Sequence, residues 1–426
     1  MKKVLIISYY WPPSGGAGVQ RWLKFAKYLP EFGWEPHVYT PENPEAPAQD
    51  ESLLQDIPAE VVVVKQPIFE PYGFYKKFTG NKKSVNAGFL SENKDSRKKL
   101  TEQLSIWVRG NMFIPDARKF WIKPSIKFLK DYIQKEKIDI VISSGPPHSM
   151  HLIAMGLKKK LDIKWIADFR DPWTNIDFYK DLMLTKSADR KHHRLEREVL
   201  QTADEIISIG KTMATEFEEI RGRKVQVITN GFDADDFEMQ DKESSDDFVI
   251  VHVGSINADR NHTIFWEGLK ELCIENTGFA DKLRLRFIGK LDYSVIESVE
   301  NFGLKDKFEQ IEYVPHNQVK DYLFAADLLY LPLNNTPNSK GILSGKFFEY
   351  LATAKPILGI GHPKGDAAEI MQETKAGAMI DFSEKDMLKQ FILNEFSNSN
   401  TPIKADMDLR NQYSRRSLTQ KLIELF

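Results

Sequence analysis

Two rhythms of hydrophobic and polar positions run along the chain. One is a short apolar run rich in β-branched residues; the other is a longer stretch with apolar residues three and four apart. Val4–Ser8 is a run of the first kind, closed by a Pro/Gly turn over Pro12–Gly18. The next segment sets Val19, Trp22, Leu23, Ala26 and Leu29 at helical spacing, which predicts an amphipathic helix. Gly33 ends it, and His37–Thr40 resumes as a strand. Strand, glycine turn, helix, strand is a βαβ unit, and that implies a parallel sheet. The same rhythm predicts strands at Ile138–Ser143, Trp165–Asp168, Glu205–Ser208 and Lys224–Thr229, with a helix over Ser149–Leu161.

The polar, acidic stretch Asp235–Asp247 reads as a linker, and a second start follows it. Phe248–Val253 is an apolar run ending at Gly254, and further strands are expected at Leu285–Ile288, Gln310–Tyr313, Leu328–Leu331, Pro356–Ile360 and Ala378–Asp381. Helical patterns lie between them. The tail, with apolar Leu409, Leu418, Leu422 and Phe426, predicts one terminal helix, free to pack back on the N-terminal half. The expected fold class is α/β, with two Rossmann-like doubly wound domains over residues 1–234 and 248–405 and a terminal helix over 406–426. No short-period repeat breaks this scheme.

Composition narrows the class. At 426 residues the chain exceeds one ordinary core and suits two domains of about 200 residues each. A formal charge of −2 argues against a general nucleic-acid binder, which needs excess cation to displace counterions. The single cysteine, Cys273, excludes a disulfide framework and a multi-thiolate zinc site, and fits a reducing, cytoplasmic setting. The N-terminal run is too short for a signal h-region, and no stretch of about 18 apolar residues could span a bilayer.

One region departs from the rhythm. Residues 68–130 carry fourteen Lys/Arg against five Asp/Glu, a local charge of +9, interleaved with aromatics such as Tyr72, Phe74, Phe89, Trp107 and Trp121. Two readings stand. It is an inserted helical subdomain with a solvated charged face, or it is a surface for an anionic lipid-linked acceptor or acidic membrane leaflet.

Candidate chemistry sits where strands end. Gly15 and Gly16 lie in the first turn, where glycine lets backbone amides approach a phosphate at a helix start. A dinucleotide fingerprint fails there, because Arg21 stands at the third glycine position and no acidic residue closes the next strand. His148 follows the strand at 138–143, either to contact phosphate or a sugar hydroxyl or to be held by backbone. Asp168, Arg170 and Asp171 end the next strand, as a polar wall for a sugar or as an ion cluster. In the second half Arg260 is placed to fork onto phosphate oxygens. The turn Ser344-Gly345-Lys346 opens a helix whose free amides and lysine suit a diphosphate. Glu349, one turn on, suits ribose hydroxyls, although a plain surface pair with Lys346 remains open.

In their order and spacing these segments, with Ile228–Asp233, Val314-Pro315-His316 and Ala325-Ala326-Asp327, resemble the retaining glycosyltransferases of family four. The resemblance covers nearly the whole chain and implies the GT-B fold, two Rossmann-like domains facing a central cleft. It also implies that Gly15 and Gly16 approach the donor phosphates, that Arg260 takes the place of a basic phosphate ligand, and that Glu349 is the second glutamate of an E-x7-E motif holding the ribose. Three positions depart from the family pattern: Gly341 stands where the first glutamate would be, Ser255 where an arginine follows the strand-end glycine, and Arg170 where a histidine is frequent.

The activity so implied is transfer of a sugar, with retention, from a nucleoside-diphosphate donor to a glycan or lipid-linked acceptor in cell-surface polysaccharide or lipopolysaccharide assembly. No metal and no cofactor are expected, the nucleotide sugar being a substrate. Peripheral membrane contact through residues 68–130 is a further expectation. A GT-B nucleotide-sugar epimerase and a non-catalytic GT-B scaffold are the alternatives, the scaffold favoured by the absent carboxylate at Gly341.

Overall fold

The computed structural model describes residues 1–45, 49–70, 96–237, 246–312, 314, 316–398 and 407–426. The chain divides into two compact units, Met1–Thr229 with Arg415–Phe426, and Asn230–Ser414. The part of the expected linker at 238–245, residues 71–95 of the basic segment, and Pro315 lie outside the described residues.

The first unit holds seven parallel strands: β1 (Lys2–Ile7), β2 (Trp34–Pro41), β3 (Val62–Gln66), β4 (Ile140–Gly145), β5 (Lys164–Phe169), β6 (Glu205–Ser208) and β7 (Gln226–Val227). Their order is β3-β2-β1-β4-β5-β6-β7. Strand β3 is an element the sequence pattern had not singled out, although Val61–Val64 is uniformly β-branched. Helices cover both faces, so β1 is continuously apolar from Val4 to Ile7 rather than alternating. Its alternate residues feed two separate cores: Leu5 and Ile7 pack with Trp165 and Met150, while Val4 and Ile6 pack with Trp22 and Leu23.

The helix Lys119–Glu136 corrects the picture of residues 68–130 as an insertion throughout. It buries Trp121, Leu129 and Ile133 in the first unit's core, and Trp121 stacks on Tyr39 of β2 at 4.7 Å. This part of the basic segment is the crossover into β4.

The second unit holds six parallel strands: β8 (Phe248–Val253), β9 (Leu283–Ile288), β10 (Phe308–Ile311), β11 (Leu328–Pro332), β12 (Ile357–Ile360) and β13 (Gly377–Ile380). Their order is β10-β9-β8-β11-β12-β13. Here too the strand residues split by parity, Val249 and Val251 into one core and Phe248 and Ile250 into the other. Both sheets reverse their winding direction at one point, between β1 and β4 and between β8 and β11, and open α/β sheets bind ligands outside the carboxyl ends of the strands at such a point.

The expected single terminal helix is corrected to two, Met407–Asn411 and Arg415–Ile423, broken at Gln412–Ser414. The first belongs to the second unit. The other returns to the first unit, where Leu418 and Leu422 join the core of Val4 and Trp22.

Candidate functional site

In the second unit the site is assembled at the end of β8. Gly254 turns there with φ +108°, a conformation that side chains other than hydrogen rarely tolerate. A Cβ at this position would lie 2.5 Å from the Lys346 ammonium, so the glycine is needed for close approach as well as for the turn. Two bonds hold the strand end still: Val253 N–H donates to the Tyr350 hydroxyl at 2.9 Å, and the His252 Nδ1–H donates to the Tyr330 carbonyl at 2.9 Å. The loop after Gly254 is tied to the end of β11. Arg260 Nε–H donates to Asn334 Oδ1 at 2.5 Å, and His262 Nε2–H donates to the Leu333 carbonyl at 2.8 Å.

The helix Gly345–Ala352 starts beside this loop without any of the usual fillings of a helix start. Its cap residue Ser344 makes no side-chain capping bond, no acidic residue occupies the first turn, and the space beyond Gly345 is open. The Ser344 hydroxyl is shielded from solvent yet has no hydrogen-bond partner among the described residues. Unsatisfied amides and the positive end of the helix dipole therefore face open space. Desolvation pushes the Lys346 ammonium down to about 7; the Arg260 charge adds to this, and Glu349 opposes it. Burial, then the Lys346 charge, also holds His252 neutral. Cationic and donor groups are thus concentrated around one strand end, and an anion placed there would relieve the repulsion among them. Gly341 closes a short 3-10 turn, Ser339–Gly341, just ahead of this helix, and carries no carboxylate.

In the first unit the residues expected as a polar wall are distributed differently. Asp168 is fully buried and its oxygens are taken. Arg21 Nε–H donates to both at 3.1 Å, Trp22 Nε1–H donates to Oδ2 at 2.8 Å, and the Ser144 hydroxyl donates to Oδ2 at 2.9 Å. Burial alone would raise this carboxyl; the charge and hydrogen bonds of Arg21, with Arg170 and Trp22, outweigh it and hold the pKa below the usual range. A sugar-facing role for Asp168 is therefore corrected to a scaffolding one. Arg21 also holds the carbonyls of Thr229 at 2.7 Å and Ile228 at 2.9 Å, the last residues of the first unit before the chain leaves it. The residue that spoils a dinucleotide fingerprint is thus the centre of a buried network.

Arg170 points its guanidinium at two backbone carbonyls, Gly18 at 3.0 Å and Pro146. Asp171 is exposed. His148 stacks flat on Trp173, with ring centroids 4.4 Å apart, and burial with the nearby charges of His151, His192 and Arg170 keeps it neutral. The helix it starts, Ser149–Lys158, already has an anion at its amino end: Asp116 accepts from the Ser149 N–H and hydroxyl, each at 2.8 Å. A phosphate at His148 would have to displace that carboxylate. Gly15 is buried, and Gly16, at φ +98°, opens the first helix, Ala17–Tyr28, with no side-chain cap bond. Beside it the Ser14 hydroxyl and Trp11 indole N–H are buried without partners among the described residues.

Arg21, Trp22, Asp116, His252, Asn334 and Tyr350 shape these two edges without having been marked by the sequence. For Arg21 a signal existed: around the axis of the predicted helix it falls between Phe25 and Tyr28, so a charged residue sits among aromatic positions.

Comparison with known proteins adds two family models. Glycosyltransferase Family 4 matches residues 90–236, and Glycosyl transferases group 1 matches residues 234–415. A search of curated protein sequences finds no significant match. Solved structures agree in fold over the whole chain. Sucrose-phosphate synthase from Thermosynechococcus elongatus superposes with a TM-score of 0.62 at 13% identity, covering 100% of this chain and 98% of that one. WaaG, a glycosyltransferase involved in lipopolysaccharide biosynthesis, gives 0.56 at 12% identity, covering 99% of each chain. A mutant of S. aureus TarM, solved with fondaparinux, α-GlcNAc-glycerol and UDP, gives 0.60 at 9% identity, covering 100% of this chain and 99% of that one.

Proposed function

The chain belongs to the group 1 glycosyltransferases of the family-four type, and from that premise we propose that it moves a sugar, with retention, from a nucleoside-diphosphate donor to a glycan or lipid-linked acceptor. The observation that carries the reading is the open amino end of the Gly345–Ala352 helix, flanked by Lys346 and Arg260 and lacking a resident anion in its first turn. A departing nucleoside diphosphate develops negative charge, and preorganised donors aimed at that charge lower the barrier. Lys346, Arg260, the Ser344 hydroxyl and the amides at Gly345 do this work, and Glu349 holds the ribose. Fixed cations take the part a divalent metal plays elsewhere, so the reaction runs without one and without a cofactor.

The decisive experiment assays transfer by Lys346→Ala and Glu349→Ala from a panel of nucleotide sugars. Lys346→Ala is expected to lose transfer by about 100-fold or more, on the order of one removed transition-state donor, and Glu349→Ala to lose transfer through weakened donor binding, both with unchanged melting temperature. Near wild-type rates would sink the assignment. The absent carboxylate at Gly341 keeps a non-catalytic scaffold in play. The same panel separates it, because a scaffold releases no nucleoside diphosphate from any donor, and an epimerase returns an altered donor.

An acceptor at a membrane surface, as in polysaccharide or lipopolysaccharide assembly, is supported by the segment leading to β4. Leu104, Trp107, Met112 and Phe120 are exposed there beside Arg109, Lys119 and Lys123. No helix among the described residues is long and apolar enough to cross a membrane. Vesicles containing anionic lipid should therefore recruit the protein peripherally and release it at high salt, and failure to co-sediment at low salt would remove this part of the reading.

A further inference from the structure

Two loops flank the switch point of the first sheet. The glycine turn Ser14–Gly18 follows β1, and the segment Pro146–His148 follows β4. Neither is held to the other by a backbone ladder at that point, because the strands have ended. A single side chain from the next strand end reaches both. Arg170 donates from one terminal nitrogen to the Gly18 carbonyl at 3.0 Å and from the other to the Pro146 carbonyl. Its own backbone N–H donates to the Gly145 carbonyl at 2.9 Å, and its guanidinium lies 6.0 Å from the centre of the Tyr10 ring. At Gly18 an added Cβ would sit 2.7 Å from the Arg170 Nη1, so the turn and the guanidinium are built to fit one another.

The base of this side chain is fixed as well. Two residues earlier, Asp168 is locked by Arg21, Trp22 and Ser144, so the end of β5 cannot drift. Asp168 and Asp171 also supply the negative charge that lets a desolvated guanidinium remain there.

We infer that Arg170 is a positioning residue whose planar fork cross-ties the Gly18 and Pro146 carbonyls and thereby sets the spacing of the two loops. It does not touch the reacting atoms. Its fork satisfies two acceptors in a fixed geometry, which a lysine, with one compact ammonium on a flexible stem, cannot reproduce. The cost of loosening the pair is geometric, since misplacement of groups by about 1 Å can lower a rate by about 100-fold. The catalytic half of this inference rests on the glycosyl-transfer reading; the structural half does not.

The test uses the full chain and its Arg170→Ala, Arg170→Lys and Arg170→Gln forms. Hydrogen–deuterium exchange is read on peptides covering Gly15–Val19 and His148–Leu152. In Arg170→Ala both segments should exchange about tenfold faster, together, while peptides from β1 and β5 keep their protection. Arg170→Lys should restore protection to one segment and leave the other fast. With the donor that the wild type uses, kcat of Arg170→Ala should fall by about 10- to 100-fold with donor KM changed by less than about threefold, because the bound groups remain and only their alignment is lost. Unchanged exchange in both segments overturns the inference. So does faster exchange with wild-type kcat, or full recovery of both by lysine. Should Arg170→Ala fail to fold, Arg170→Gln keeps one donor amide and is read in the same way. If the wild type transfers no sugar from any donor, the proposed function fails and the exchange data still decide whether Arg170 ties the loops.

Discussion

At the scale of single residues, two ion systems behave in opposite ways. Lys346 has been stripped of solvent and set beside Arg260, and its ammonium is pushed down to about 7. Below that pH the cation is present in the free protein; above it the charge is lost. A bound diphosphate stabilises the ammonium and raises its pKa, so binding above pH 7 must take up a proton. Nucleoside-diphosphate affinity should therefore weaken as pH rises past 7, by up to about tenfold per unit, since one pKa unit corresponds to about 1.4 kcal/mol. Calorimetry at pH 6.5 and 8.5 checks this, and Lys346→Arg, charged at both, should flatten the profile. Asp168, by contrast, is an anion fully matched by Arg21 and enclosed, so it serves the fold. Removing one partner of a buried pair strands the other, and Asp168→Ala should lower the stability of the first unit by about 3–5 kcal/mol, read by denaturant unfolding. A loss below about 1 kcal/mol would show that Arg21 finds another partner.

At the scale of elements, helix starts do most of the sorting. The Ser149–Lys158 helix begins on the Asp116 carboxylate, whereas the Gly345–Ala352 helix begins on a serine whose hydroxyl has no partner among the described residues. The sequence marked both strand-to-helix turns as candidate anion sites, and it could not separate them, because the competing carboxylate lies 33 positions away from Ser149. The terminal helix shows the same limit. Its apolar spacing was legible in Leu418 and Leu422, and so was the option of packing back on the N-terminal half, but its break at Gln412–Ser414 was not. Leu422→Ala should cost about 2–5 kcal/mol in the first unit, the usual penalty for a buried leucine left as a cavity. Scanning calorimetry should show the first unit's transition move down while that of the second stays in place.

At the scale of the whole molecule, the chain is two parallel sheets, each with its own pair of cores and its own switch point. A ligand that binds the second unit should stabilise that unit selectively. At about 100 times its dissociation constant a nucleoside diphosphate adds about 2.7 kcal/mol, and hydrogen-exchange protection within that unit should gather at Gly254–Arg260 and Ser344–Lys346. Protection elsewhere in the unit alone would move the donor site. The sequence by itself determined the α/β class, the alternation of strands and helices, the family resemblance, and the segments Gly254–Arg260 and Gly341–Glu349. These are readable because periodicity, glycine turns and helix starts are local, written within a few residues of one another. Only the tertiary structure decided the rest: that Arg21 pairs with Asp168 across 147 positions, that Arg170 spans two loops, and that the terminal segment breaks into two helices shared between the two units. A side chain's partner depends on which strand ends the sheet order brings together, and that order is set by packing over the whole core.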